Sequence, residues 1–231
     1  MIGVVSFPGS NGDTDALVAL RDNVGVAARL VDYRETELEG FDGVVLPGGF
    51  SYGDHLRCGA LARFAPILGP LRRFAAQGGP VLGICNGFQI LTEAQLLPGA
   101  LLRNKTLRFH CFWTTIRIEQ AAEYLVGEPN SPRVLRLPVA HGDGAYYADE
   151  ATLVRLEGSG QVFARYCDAS GNISHLANPN GSKNAIAGIS NNKRNIIGLM
   201  PHPERAADSL LGGTDGIFVL QTAFAFLSVP A

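Results

Sequence analysis

Residues 80–88 read Pro-Val-Leu-Gly-Ile-Cys-Asn-Gly-Phe, an apolar run that leads into a sharp turn. A short apolar run of this kind is typical of a buried parallel strand. Beyond the turn, apolar residues recur at helical spacing, namely Phe88, Ile90, Leu91 and Leu96. The segment therefore predicts a strand, a turn at Cys85 and a helix, which is the repeating unit of a parallel α/β sheet.

The same alternation extends on both sides of this unit. Apolar runs predict strands at Ile2–Phe7, Ala27–Val31 and Val44–Leu46 before it, and at Phe112–Ile118, Val134–Val139, Gln161–Tyr166, Ala185–Ile189 and Asn195–Leu199 after it. Helices are predicted after a cap at Asp13 or Thr14, over about Ala60–Ala76 with Pro66 and Pro70 as candidate breaks, and after a cap at Thr214 or Asp215, the last with apolar residues up to Leu227.

This order of elements predicts the fold class. Strands that alternate with helices indicate an α/β fold of the flavodoxin-like, doubly wound type, with a mostly parallel sheet and helices on both faces. The run of strands in the second half indicates an antiparallel extension. Because no repeat, low-complexity tract or linker interrupts the chain, residues 1–231 are predicted to form a single domain.

Composition excludes several classes of protein. The 231 residues include 19 basic and 21 acidic ones, a formal charge of −2 that gives no reason to expect a nucleic-acid partner. No stretch approaches the roughly 20 apolar residues of a membrane span, and no signal peptide is recognisable. The four cysteines form no C-x-x-C pair, and no two histidines have the spacing of metal ligands. We therefore expect a cytoplasmic protein without a metal site or a membrane association.

Cys85 is the candidate nucleophile. The motif Gly83-Ile84-Cys85-Asn86-Gly87 is the cysteine version of the G-x-S-x-G elbow, in which a strained turn exposes a nucleophile above the sheet. A helix N-terminus favours a thiolate, and the N–H of Asn86 would face an oxyanion formed on an attacked carbonyl. The alternative is a small buried hydrophobic residue, as most free cysteines are. That alternative is preferred for the cysteines without this context, which are Cys58, Cys111 and Cys167.

His202 is the candidate base. It lies in Met200-Pro201-His202-Pro203-Glu204, where each proline disfavours helix in the residue before it. In an extended segment His202 and Glu204 share a face, so the carboxylate can orient the imidazole. The alternative is an exposed turn. Both motifs follow predicted strands, and the carboxyl ends of strands are where sites gather in doubly wound sheets.

Two loops are further candidates. The glycine-rich turn at Pro47–Asp54 lacks the spacing of a phosphate-binding loop, so Gly49 is predicted to supply a second oxyanion donor, or else only a tight turn. His141 and Gly142 lie in a loop that can line the site. The other histidines are predicted to be surface residues or satisfied core residues; these are His55, His110 and His175.

The motifs together resemble a known family, the class I or triad glutamine amidotransferases. Within it they are most similar to the glutaminase subunits of phosphoribosylformylglycinamidine synthases, in their short form. The similar segments are Phe7–Asn11, Gly49–Asp54, Cys85–Leu91, Asn178–Ser182, Ala187–Ile189 and Leu199–Arg205. One departure is Gly12, where this family often has a cysteine; we expect that position to be remote from the catalytic set.

The resemblance implies a mechanism. Cys85 would attack the carboxamide of glutamine, and His202, oriented by Glu204, would protonate the departing ammonia. The amides of Gly49 and Asn86 would hold the oxyanion, and water activated by His202 would release glutamate from the thioester.

The resemblance also implies how the substrate and the partners are bound. Gln89 would help to place glutamine, and the His141-Gly142 loop would contact its α-carboxylate or amino group. Ammonia would pass to a synthetase subunit, which assembles with this subunit and a small bridging subunit and which uses ATP and magnesium. The chain itself would need no cofactor.

Two other readings remain open from the sequence. The first is a free-standing amidase or peptidase with the same cysteine elbow. The second is a docking subunit whose site has decayed, against which the intact Cys85, His202 and Glu204 argue.

Overall fold

The computed structural model describes residues 1–119 and 133–224. The strands in these ranges are β1 (Ile2–Ser6), β2 (Ala28–Asp32), β3 (Gly43–Leu46), β4 (Val81–Ile84), β5 (Ala100–Leu102), β6 (His110–Ile118), β7 (Arg133–His141), β8 (Ala145–Tyr147), β9 (Val162–Tyr166), β10 (Ile186–Ser190) and β11 (Ile196–Leu199). The α-helices are α1 (Asp13–Val18), which continues as a π-helical turn (Ala19–Val24), α2 (Leu68–Ala76), α3 (Asn86–Glu93), α4 (Glu150–Gly158) and α5 (Asp215–Ala223).

The main sheet has two halves. Its nine strands among the described residues run in the order β2-β1-β3-β4-β11-β10-β9-β6-β7. The pairings from β2 to β11 are parallel, and those from β11 to β7 are antiparallel. A separate antiparallel pair joins β5 to β8. The predicted fold class is confirmed, including the antiparallel extension.

The centre of the parallel half is covered on both faces. Every residue of β3, β4 and β11 is buried, although successive side chains of a strand point to opposite faces. This explains why these strands read as continuous apolar runs instead of alternating ones. Helix α3 packs on β3, β4 and β11. The chain that leaves β4 through the turn at Cys85 therefore returns along the face of the same sheet.

The structure corrects one predicted helix. Residues 60–76 do not form one helix: a 3₁₀ turn (Ala62–Phe64) is followed by α2, which starts at Leu68. The break falls at Pro66, whereas Pro70 lies in the first turn of α2, where a missing N–H costs no helical hydrogen bond.

The predicted caps are also corrected. Gly12 occupies the N-cap position of α1, while Oδ2 of Asp13 accepts a hydrogen bond from the Ser6 hydroxyl at 2.6 Å. Thr214 is at the N-cap position of α5 but makes no capping bond, and Oδ2 of Asp215 accepts from the backbone of Arg136 at 2.7 Å. Leu227, which was predicted to belong to this last helix, lies outside the described residues.

Within the described ranges, no helix combines the length and the apolar character that crossing a bilayer requires.

Candidate active site

Cys85 lies at the turn between β4 and α3, as predicted. Its backbone has φ 49° and ψ −102°, a conformation that side chains other than glycine rarely adopt. The flanking glycines explain how the turn closes: a Cβ at Gly87 would lie 2.0 Å from the carbonyl oxygen of Leu46, and one at Gly83 would lie 2.5 Å from Cδ1 of Leu91. The strain is therefore maintained by close packing on both sides, which is common where a nucleophile must be positioned.

His202 and Glu204 form a buried pair. Nδ1 of His202 lies 2.5 Å from Oε1 of Glu204, and both side chains are almost wholly buried. His202 is extended, as predicted, and its backbone N–H donates to the carbonyl of Pro138 at 2.8 Å. Glu204, however, lies in a 3₁₀ turn (Pro203–Ala206), so the two side chains meet by a turn and not by the period of an extended strand.

Cys85 and His202 meet at Gly48. A Cβ built on Gly48 would lie 2.6 Å from Cε1 of His202 and 3.6 Å from Cβ of Cys85, so the two side chains lie against the same glycine. Burial lowers the pKa of His202, but the charges of Glu204 and Cys85, and the hydrogen bond between Nδ1 and Glu204, raise it above its ordinary value. The surroundings of His202 thus favour the protonated imidazole.

The candidate oxyanion donors follow the residues that meet at the site: Asn86 follows Cys85 directly, and Gly49 follows Gly48, the glycine that Cys85 and His202 share. Asn86 is the first residue of α3, and its N–H has no acceptor one turn earlier in the helix. Gly49 has φ 129°, and a Cβ there would lie 2.6 Å from the backbone nitrogen of Asn11. The side chain of Asn86 ties the two segments together, since its Oδ1 accepts from the N–H of Ser51 at 3.2 Å.

Gln89 connects the helix to the loop after β7. Its Nε2 donates to the carbonyl of Asp143 at 2.7 Å, and its Oε1 accepts from Nδ2 of Asn86 at 2.9 Å. These bonds place Asn86 and Gln89, the predicted site residues of α3, beside the segment that carries His141 and Gly142.

His141 is buried and electrically neutral. Burial, followed by the neighbouring His110 and His202, lowers its pKa from the ordinary value of 6.5 to about 3. Nδ1 of His141 lies 3.1 Å from Oδ1 of Asn104, which can only accept, so Nδ1 carries the proton. Nε2 is left as a buried acceptor without a protein partner in the described ranges.

Asn104, which was not predicted as a site residue, organises this loop. Asn104 is fully buried, and its Nδ2 donates to the carbonyls of Arg108 and His141 at 2.9 and 2.8 Å. Its Oδ1 also accepts from the N–H of Gly144 at 3.0 Å. No local signal in the sequence marks an asparagine that is satisfied by distant backbone groups.

Gly12 was expected to be remote from the site, and that expectation is wrong. Its N–H donates to the carbonyl of Gly48 at 3.2 Å, and a Cβ at Gly12 would lie 3.1 Å from that oxygen. Gly12 therefore supports the glycine that Cys85 and His202 share.

Cys58 is the other cysteine near the site. Its sulfur donates to Oδ2 of Asp143 at 3.5 Å, and burial together with the carboxylates of Asp54 and Asp143 raises its pKa far above the ordinary value. Cys58 therefore stays a thiol. Cys111 is exposed and Cys167 is buried, and all four cysteines are free.

Of the remaining histidines, two are exposed as predicted, but His110 is not a satisfied core residue, since its buried Nδ1 has no hydrogen-bond partner in the described ranges. His55 and His175 are exposed, whereas His110 is buried with Nε2 2.7 Å from the Thr106 hydroxyl. The ring of His110 lies 5.8 Å from that of His141, so it belongs to the surroundings of the site.

Two cavities adjoin these residues. The smaller one, about 340 Å³, is lined by Gly142, Asp143 and Asp54; Asp143 accepts a hydrogen bond from Gln89, and Asp54 accepts one from Asn86. The larger one, about 550 Å³, is lined by Glu204 but by no other candidate site residue. The smaller cavity is therefore the better candidate for the entrance of a substrate. In the part of the chain that the structure describes, no three metal-binding side chains converge.

The arrangement fits nucleophilic attack on a carbonyl. It combines a strained cysteine at a helix N-terminus, an imidazole whose charged form is favoured, a carboxylate that orients the imidazole, and the free N–H of Asn86 at the start of α3.

Comparison with known proteins agrees with this chemistry. The chain is 57% identical over 217 residues to the phosphoribosylformylglycinamidine synthase subunit PurQ of Thermomicrobium roseum, covering 94% of this chain and 92% of that protein. It is 52% identical over 221 residues to the protein of the same name from Methanosarcina acetivorans, covering 96% and 95%. The solved structure of PurLQS from Thermotoga maritima contains a chain that matches with a TM-score of 0.83 at 38% identity, over 98% of each chain.

A model of the CobB/CobQ-like glutamine amidotransferase domain matches residues 1–212. The resemblance inferred from the motifs is thereby confirmed, and this chain belongs to the family of CobB/CobQ-like glutamine amidotransferase domains.

Proposed function

We propose that this chain is the glutaminase subunit of a phosphoribosylformylglycinamidine synthase, the enzyme that converts formylglycinamide ribonucleotide to the amidine in purine biosynthesis. The observation that carries the proposal is the convergence of Cys85, His202 and Glu204 in a chain whose relatives of 50–57% identity have that name.

In the proposed reaction, the sulfur of Cys85 attacks the carboxamide carbon of glutamine. The N–H groups of Gly49 and Asn86 stabilise the oxyanion, and donors of this kind contribute about 3 kcal/mol each. When the tetrahedral intermediate collapses, the C–N bond breaks and His202 gives its proton to the departing nitrogen, which leaves as ammonia.

A thioester between Cys85 and the glutamyl group then remains. His202 takes a proton from water, the resulting hydroxide attacks the thioester carbon, and glutamate leaves as the sulfur regains its electron pair. Glu204 holds the imidazole in orientation and stabilises its charged form through both steps.

Gln89, His141 and Gly142 are proposed to bind the amino-acid end of glutamine. Gln89 already contacts the loop that carries the other two, and Gly142 lines the smaller cavity. Nε2 of His141 is a buried acceptor without a partner in the described ranges, and a substrate ammonium group would satisfy it.

The ammonia is proposed to pass to a synthetase subunit, in a complex that also holds a small bridging subunit. ATP and magnesium belong to the synthetase in this proposal, and no cofactor is assigned to this chain. We further propose that residues 1–231 act as one domain, in the cytoplasm, and that the chain binds neither nucleic acid nor membranes.

Glutamate release with and without a matching synthetase tests the proposal. We expect release that depends on glutamine and rises when the synthetase is present, and we expect Cys85→Ala to abolish glutamine-dependent amidine synthesis while ammonia-dependent synthesis continues. Equal loss of both activities would assign Cys85 a structural role. Rapid cleavage of peptides or other amides by the chain alone would favour a free-standing hydrolase.

A further inference from the structure

The guanidinium of Arg205 lies between two carboxylates. Arg205 follows Glu204 in the 3₁₀ turn Pro203–Ala206, and its Nε lies 3.1 Å from Oδ2 of Asp15 and 3.7 Å from Oε1 of Glu204. The contact with Asp15 is a hydrogen bond, whereas the one with Glu204 is too long for a hydrogen bond and acts through charge. Oε1 of Glu204 is also the oxygen that Nδ1 of His202 contacts at 2.5 Å. The charges of the guanidinium and of the protonated imidazole therefore act on the same oxygen.

The members of this cluster differ in their exposure to solvent. The side chains of Glu204 and His202 are buried, whereas that of Arg205 is 30% exposed and that of Asp15 is 44% exposed. Arg205 and Asp15 also line the larger cavity, together with Glu204. Because a buried carboxylate is poorly solvated, a neighbouring charge acts on it more strongly than on a carboxylate at the surface.

Helix α1 determines where the guanidinium lies. Asp15 is in the first turn of α1, so its hydrogen bond ties Arg205 to this helix. The N-cap residue of the same helix, Gly12, donates to the carbonyl of Gly48, against which His202 lies. One helix is thus joined to both sides of the catalytic imidazole. The distance between the two cationic groups therefore depends on the packing of α1 and not on a free side chain.

We infer that Arg205 is a positioning residue of the catalytic pair: held by Asp15, its guanidinium competes with the imidazolium of His202 for Oε1 of Glu204 and so limits how firmly the carboxylate retains the charged ring. In the proposed reaction the imidazolium must give up a proton to the departing nitrogen. A carboxylate that stabilised the imidazolium too strongly would make it a poorer acid and slow this step. The inference deepens the proposed function and rests on it.

A different role for Arg205 is a surface ion pair that only ties α1 to the turn. Partly exposed pairs of this kind contribute little to stability. Arg205→Gln and Asp15→Asn both break this pair, so a purely structural role predicts effects of the same sign for the two variants. The role in positioning predicts opposite effects on His202, because the two variants remove opposite charges.

The pKa of His202 distinguishes the two roles. In Arg205→Gln the charge of Glu204 acts on the imidazole unopposed, so we expect this pKa to rise by about half a unit. In Asp15→Asn the guanidinium is no longer neutralised by its partner, so we expect the pKa to fall. Nuclear magnetic resonance of the ring nitrogens, assigned with His202→Ala, measures both changes. The pH dependence of kcat for glutamate release, measured with the matching synthetase, should shift in the same directions.

The other charged groups around the imidazole are the same in these variants. Cys85 and His141 are titratable groups that act electrostatically on His202. Asp208 lines the larger cavity beside the guanidinium, and Asp215 of α5 accepts a hydrogen bond from the backbone of β7. Opposite shifts in the two variants are therefore due to the two exchanged charges.

Two further variants are controls. Arg205→Lys keeps the charge and should keep the pKa of His202 closer to that of the unmodified chain than Arg205→Gln does. Arg117→Gln is the matched control, because Nε of Arg117 also lies 3.1 Å from a carboxylate oxygen, Oε1 of Glu119, and its side chain is 26% exposed. Arg117 lines neither of the two cavities, so we expect no shift in the pKa of His202. All four exchanged side chains are partly exposed, and the thermal midpoints should stay within about 3 °C of that of the unmodified chain.

Shifts of the same sign in Arg205→Gln and Asp15→Asn, or no shift in either, would overturn the inference and leave a structural ion pair. An equal shift in Arg117→Gln would overturn it as well. An unmodified chain that released no glutamate even with the synthetase would contradict the proposed function, whereas the resonances of His202 would still decide where the charge of Arg205 acts.

Discussion

Nδ1 of His202 lies 2.5 Å from Oε1 of Glu204 in a fully buried environment, and this contact determines which form of the imidazole is stable. Desolvation alone would keep His202 neutral, yet the charges of Glu204 and Cys85 raise its pKa above the ordinary value. A proton donor for a departing amine is thus available at neutral pH. The carboxylate and the sulfur act on the same ring, so the three residues are expected to respond to substitution as a unit.

Glu204→Gln tests the contribution of the carboxylate. The amide keeps the size of the side chain but removes the charge, so the pKa of His202 should fall and the imidazole can lose its orientation. We expect kcat for glutamate release to fall on the order of 10²- to 10⁴-fold, with a smaller change in KM. Glu204→Asp is the control, because it keeps the charge and should retain more activity than the glutamine variant. Equal activity of Glu204→Gln and the unmodified chain would exclude a catalytic role for this carboxylate.

Gly87→Ala tests the packing that maintains the elbow. The added methyl group would lie 2.0 Å from the carbonyl oxygen of Leu46, which is backbone and cannot move away cheaply. We expect the free energy of unfolding in urea to fall by about 3 kcal/mol and glutamate release to be lost. Gly158→Ala is the control, since a Cβ at Gly158, at the end of α4, meets no atom within 4 Å. That substitution should leave activity unchanged and stabilise the chain by about 0.5 kcal/mol.

The elbow and the His202–Glu204 pair were predictable because their signals are local. Glycines two residues on either side of Cys85 permit the close approach of backbone that the turn needs, and the prolines around His202 restrict its backbone. The sheet was also predictable from local signals, because short apolar runs alternate with segments of helical spacing along the chain. The convergence of these segments could be expected only from the rule that sites gather at the carboxyl ends of parallel strands.

The features that escaped prediction depend on tertiary contacts. The role of Asn104 depends on hydrogen bonds from its side chain to the backbone of residues 108, 141 and 144, and two of these residues are about forty positions away in the chain. Aspartate is a residue type that often caps helices, but the carboxylate of Asp13 instead accepts a hydrogen bond from the Ser6 hydroxyl. Nothing in the sequence around Gly12 indicates its role, because that role is to let Gly48 approach closely in the folded chain.

Asn104→Ala tests the support of the loop after β7. Removal of its amide leaves the carbonyls of Arg108 and His141 and the N–H of Gly144 without partners. We expect the free energy of unfolding to fall by about 2 to 4 kcal/mol and KM for glutamine to rise by more than kcat falls. A purely structural role would instead lower the amount of folded protein and leave KM unchanged in the fraction that folds.

His141→Gln tests the neutral state of this buried histidine. The pKa of His141 is about 3 in the folded chain against an ordinary value of 6.5, so the unfolded chain binds more protons between these values. The stability that His141 contributes is therefore complete above pH 6.5 and is lost as the pH falls toward 3. The unmodified chain should lose about 1.4 kcal/mol more than the glutamine variant between about pH 7.5 and about pH 5.5. His110 and His202 are present in both proteins, so the difference isolates His141; identical acid profiles would show that His141 can be protonated in the folded state.

Alkylation of Cys85 shows whether its thiol is the nucleophile of a glutamine site. The folded chain is mixed with a diazoketone analogue of glutamine, and the modified residue is identified by mass spectrometry of its peptides. We expect that Cys85 alone reacts, that glutamine in excess protects it, and that His202→Ala slows the reaction, while Cys58, Cys111 and Cys167 stay unmodified. Reaction at the other cysteines instead, or reaction at Cys85 that glutamine does not slow, would contradict a glutamine site built on Cys85 and His202.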